Sequence, residues 1–109
     1  MSHELDYLIQ LETNARDFGF SWSSYHGFLE QTIDECREVE EAIENNESQA
    51  RIQEEVGDLL FAALSLCGYL ELDIKETIGL SADKFAKRME IVKSLTKEDG
   101  FLVEYFNVT

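Results

Sequence analysis

A chain of 109 residues with 44% hydrophobic and 29% charged content can bury a core without disulfide or metal staples, so a single globular domain over 1–109 is expected. A net charge of −14 excludes the basic footprint that a nucleic acid polymer demands, and it disfavours an anionic membrane surface equally. No apolar run approaches the roughly 18 residues needed to span a bilayer, the amino terminus shows no signal pattern, and Cys36 and Cys67 lack disulfide or zinc spacing, so a reducing cytoplasm with both thiols as buried small apolar groups is expected.

The first helix is predicted over about 2–17, with Leu5, Leu8, Ile9 and Ala15 on one side and Gly19 as its stop. An aromatic turn of Phe18, Phe20 and Trp22 follows, read chiefly as a hydrophobic staple, although Trp22 is also the residue placed to stack on a planar ligand. Ser23 or Ser24 caps a second helix that runs to about Glu44. On this helix Phe28, Thr32, Glu38, Val39 and Ala42 fall within about 60° of Glu35, while Glu30, Asp34, Arg37, Glu41 and Glu44 form an acidic solvated face on the other side. Asn45 and Asn46 break the pattern, and Ser48 caps a third helix to about Glu71. Its stretch from Leu59 to Leu70 is apolar nearly all round, which predicts a central, heavily buried position. A fourth helix follows from Asp73, with Ile74, Ile78, Ser81, Phe85, Arg88, Val92 and Leu95 at helical spacing and Gly100 as its end. The tail, 101–109, is apolar enough to dock rather than trail. The fold expected is an all-α antiparallel bundle of four to five helices, its motif-bearing core at about 24–98. Because the third helix needs cover from several directions, oligomerisation is expected to complete it.

Two carboxylate pairs stand out within this frame. Glu35 with Glu38, and Glu55 with Asp58, are each spaced i, i+3 and each open the same pattern, ECREVEEAI and EVGDLLFAA. Both pairs lie on the stripe that continues into Val39, Ala42 and Ile43, or into Leu59, Ala62 and Leu66. Ionised groups on a packing face need a partner, and a tight connection between the helices predicts a hairpin that brings the two pairs together. Four oxygen donors without histidine or cysteine suit a hard cation such as Mg²⁺ or Mn²⁺ rather than zinc. A di-iron bundle is excluded, since neither His3 nor His26 follows a glutamate as Glu-x-x-His requires. One Glu-x-x-Glu arises easily by chance in so acidic a chain; two in register on adjacent helices argue for a cation.

With a 16-residue gap between Glu38 and Glu55, the EVGDLLF run from Glu55 to Phe61 and the KFAKR run from Lys84 to Arg88, the segment from about Leu29 to Leu95 resembles the MazG family of all-α nucleoside triphosphate pyrophosphohydrolases. The resemblance implies hydrolysis of a nucleoside triphosphate to the monophosphate and pyrophosphate, with Glu35, Glu38, Glu55 and Asp58 binding Mg²⁺, or Mn²⁺ in its place. It implies that Glu38, with Glu35 beside it, orients or deprotonates the attacking water, that Lys84 and Arg88 take phosphates, and that Trp22 contacts the base. Ala82 departs from the pattern, standing where many members carry an asparagine that contacts phosphate or sugar. The compact form looks most like the stand-alone members that clear unwanted deoxynucleotides or non-canonical nucleotides, and it implies a homodimer or homotetramer. Two readings from other classes remain beside it: a non-catalytic acidic helical module that binds a basic partner along Glu30, Asp34, Glu41 and Glu44, and a degenerate member that holds nucleotides without hydrolysing them.

Overall fold

The computed structural model describes residues 3–99, and among them the only regular elements are four helices. They are α1 (His3–Phe18), α2 (Tyr25–Glu44), α3 (Gln49–Tyr69) and α4 (Ile74–Asp99). The predicted end of the fourth helix at Gly100, and the tail, lie outside the described residues. The chain gathers into two compact units, Met1–Ile74 with the first three helices and a second that begins at Lys75.

In the first unit the three helix carboxyl ends and the start of α3 have local causes. The three carboxyl termini close in the same way, with a backbone N–H reaching back five residues: Phe20 to Ala15 at 2.9 Å, Glu47 to Ala42 at 3.0 Å and Leu72 to Cys67 at 3.1 Å. That closure turns the preceding residue into the left-handed region. Gly19 (φ 103°) adopts it freely and Asn46 (φ 53°) tolerably, whereas Glu71 (φ 60°) does so against its Cβ. At the start of α3 the Ser48 hydroxyl accepts the Arg51 N–H at 3.2 Å, as predicted. Ser24 occupies the equivalent place before α2 but makes no side-chain cap.

Helix α3 is the central element of this unit, packed along α2 and, over a shorter length, against α1. The connection between α2 and α3 is too short for anything but an antiparallel hairpin. Phe28, near the start of α2, stacks at 4.7 Å on Tyr69 at the end of α3, as that arrangement requires. Phe28, Ala42, Ala62 and Ile74 are the buried apolar residues, and three acids are buried with them: Glu12, Glu35 and Glu55. Helix α3 is central but not covered all round, since Leu60, Phe61 and Leu70 stand exposed. Ile43 and Cys36 are exposed as well, against the expectation for both. A stripe predicted from spacing is wider than the line along which two helices touch, and these residues sit on its margin.

In the second unit α4 buries Val92 completely, with Met89 and Leu95 half-buried at helical spacing around it. Ile78 and Phe85, predicted on the same stripe, are exposed. No helix among the described residues is long and apolar enough to cross a membrane.

Candidate active site

The hairpin brings the two acidic motifs face to face. Glu35 lies close enough to Asp58 and Glu38 to be disfavoured by both, and Glu55 lies within hydrogen-bond reach of Glu38. Glu35 therefore meets Asp58 while Glu38 meets Glu55, and each step forward along α2 is a step back along α3. This is the register of an antiparallel pair, and it follows from two i, i+3 motifs flanking one short turn.

The four acids divide by depth. Glu35 (9% exposed) and Glu55 (5%) are buried, whereas Glu38 and Asp58 are exposed at the rim within this chain. Only half of the predicted set therefore sits on the packing side, because the second member of each motif is turned toward the edge of the contact. Burial pushes the Glu35 carboxyl above the ordinary carboxylate range, with Asp58 and Glu38 adding like-charge repulsion. The amide of Gln31, donating to Glu35 Oε1 at 3.1 Å, offsets part of this. Glu55 is raised chiefly by burial too; Arg51 acts against the shift and Glu38 with it. Arg51 is a diluted counter-ion, its guanidinium 3.7 Å from Glu55 and 3.4 Å from both Glu47 and Glu54.

The donor chemistry fits the Mg²⁺ that the family resemblance implies. The two buried carboxylates, Glu35 and Glu55, are disfavoured as anions by burial and by the neighbouring Glu38 and Asp58, and a hard divalent cation reverses both effects. Among the described residues no three acidic, histidine or cysteine side chains are gathered at coordinating range around one point. The carboxylates meet in facing pairs rather than as a closed shell.

A cavity of about 470 Å³ opens beside the hairpin, with Glu35 and Asp58 in its lining. Phe20, Trp22, Phe28 and Phe61 supply aromatic surface; Gln31, Ser21, Ser65 and Glu12 supply polar groups. The aromatic turn is thus no buried staple. Phe18 and Phe20 are largely exposed, and Trp22, 51% exposed, faces the cavity while lying across the first turn of α2. A Cβ on Gly27 would come within 2.6 Å of the Trp22 side chain, so this glycine makes room for the indole. Lys84 and Arg88 stand one turn apart on α4, both exposed.

Glu12, Arg16 and Gln31 escaped prediction. Glu12 is 5% exposed, lines the cavity and lies over Gly68 of α3. Arg16 grips it with two bonds, Nε to Oε2 at 3.1 Å and Nη2 to Oε1 at 3.2 Å. Its signal was present: Glu12 falls in the middle of the stripe of Leu5, Leu8, Ile9 and Ala15, an acid on an apolar face like Glu35.

A family model described as the MazG nucleotide pyrophosphohydrolase domain matches residues 23–93, well over half of the chain. The chain belongs to the MazG family. The match takes in Trp22's neighbour Ser23, both acidic motifs and Lys84 with Arg88. Among curated MazG relatives, the nucleoside triphosphate pyrophosphohydrolase/pyrophosphatase MazG of Thermotoga maritima is 30% identical over 95 residues, covering 87% of this chain and 36% of its own length. The nucleoside triphosphate pyrophosphohydrolase of Escherichia coli K12 is 27% identical over 92 residues, covering 84% of this chain and 35% of its own length. The chain thus spans about a third of the curated relatives it matches. No solved structure matches it significantly.

Proposed function

We propose that this MazG-family chain is a divalent-cation-dependent hydrolase that splits nucleoside triphosphates into the monophosphate and pyrophosphate. The observation that carries the reading is the antiparallel register, which sets Glu35 against Asp58 and Glu38 against Glu55 beside a cavity with aromatic walls. The four carboxylates are the residues to hold Mg²⁺, with Mn²⁺ as a substitute. Such a cation supplies charge neutralisation on the phosphate oxygens.

The chain's own groups do the rest. Glu38, at the rim and next to Glu55, holds the hydrolytic water and accepts its proton, with Glu35 as the second acid on the same side of α2. The water oxygen bonds to phosphorus as the α–β anhydride bond breaks, and pyrophosphate departs. Trp22 and Phe20 offer surfaces on which a base stacks. Lys84 and Arg88 are assigned to phosphate contacts from the motif match alone. Deoxynucleotides or non-canonical nucleotides are the proposed substrates, in a pool-cleansing role in the cytoplasm. A homodimer or homotetramer is proposed because Leu29 and Ile33 on α2 and Val56 and Leu60 on α3 stand exposed in the single chain.

The test is product analysis across a nucleotide panel with Mg²⁺. Pyrophosphate as the product supports the reading; orthophosphate, or no turnover, sinks it.

A further inference from the structure

Resting on the reading of the cavity as a nucleotide site, we propose that Glu12 selects the base, favouring bases that carry an exocyclic amine over their oxo counterparts. One stripe of α3 runs along the cavity. Asp58, Phe61, Ala62 and Ser65 line the cavity at helical spacing, and Gly68 continues the same stripe by one turn. Glu12 reaches from α1 onto this end, its carboxylate resting on Gly68, where even a methyl group would lie 2.8 Å from the carboxyl carbon. Ten residues of helix separate Asp58 from Gly68, about 15 Å along the axis. The cavity therefore has acids toward both ends, and a molecule whose phosphates are held at the Asp58 end presents its opposite end to Glu12.

The two ends differ in chemistry. Glu12 has its own counter-ion in Arg16, which takes one lone pair from each carboxylate oxygen. A salt-bridged carboxylate is an acceptor only, with further lone pairs still open. It repels phosphate and carbonyl oxygen, and it rewards an N–H donor. With Trp22 and Phe28 as aromatic walls, the group it accepts is the amine on a planar heteroaromatic ring, as carboxylates accept from the cytosine amine elsewhere. An oxo group in that position would face a buried charge.

Substrate pairs that differ in this one group supply the test: dCTP against dUTP and ATP against ITP, compared by kcat/KM for pyrophosphate release. The wild type is expected to favour the amino member of its better pair by about tenfold or more, the scale of one discriminating base contact. Glu12→Gln should bring the ratio to within about threefold, because its amide can turn a donor toward the oxo group. If Glu12→Gln does not fold, Glu12→Asp takes its place; it keeps the charge beside Arg16 but withdraws it by one carbon, and the same collapse is expected. Turnover without discrimination in the wild type, or discrimination that survives the folded variant, overturns the assignment while leaving the hydrolase reading intact. No turnover of any of the four overturns the hydrolase reading and this inference with it.

Discussion

Two buried acids in the first unit, Glu12 on α1 and Glu35 on α2, have nearly the same exposure and opposite electrostatic situations. Glu12 is gripped by Arg16 through two hydrogen bonds of 3.1 and 3.2 Å on the same helix. Glu35 has one neutral donor, Gln31, and faces two further carboxylates. A buried charge that brings its own counter-ion is complete within the fold; one placed against like charges is complete only with something from outside. That contrast, more than the number of acids, is why the hairpin is proposed as the reactive end of the cavity.

The sharpest way to break the contrast is to neutralise the acids at the rim. Glu38→Gln or Asp58→Asn should lower pyrophosphate release by about 10²–10⁴-fold, with circular dichroism unchanged. Full activity in either folded variant would remove the site assignment. On stability, the two buried acids should respond with opposite signs. Arg16→Gln strips Glu12 of its counter-ion and should cost about 1.5–3 kcal/mol, read as a lowered Tm. Glu35→Gln, in chelator at neutral pH, should instead raise Tm, since it removes an ionised group that burial and its neighbours disfavour.

The pH dependence sharpens the same point. Glu35 and Glu55 hold their protons to higher pH in the folded chain than in the unfolded one. Through that window the native state binds more protons, so stability declines as pH rises from about 4. Denaturant melts in chelator across this range should show the decline, and Glu35→Gln should flatten it. A smaller effect is expected at Gly27, where alanine displaces the Trp22 side chain. Gly27→Ala should raise KM about tenfold, the scale of one lost stacking contact, with kcat little changed.

The sequence showed most of this architecture because helix signals and helix ends are local. The stop at Gly19, the break at Asn46 and the cap at Ser48 are each a few residues of backbone chemistry, and each appears where the residue types place it. The carboxylate hairpin was legible for a related reason: two motifs and a short turn leave one register. Depth was not legible. Whether Glu38 or Ile43 is covered depends on where the neighbouring helix ends its contact, and spacing along one helix carries no such information. Glu12 is not legible in the sequence because it stands alone on its stripe, without the repeated motif that distinguishes Glu35, and its link to Gly68 is a tertiary contact. The left-handed turn at Glu71 was hidden because that conformation is ordinarily announced by glycine or asparagine.

If the facing carboxylates of α2 and α3 form one cation site, melting temperature against Mn²⁺ concentration will show it. In the wild type Tm should climb with the logarithm of the cation once the site begins to fill, and in Asp58→Asn the climb should vanish. An equal climb in both proteins would place the cation away from these four carboxylates.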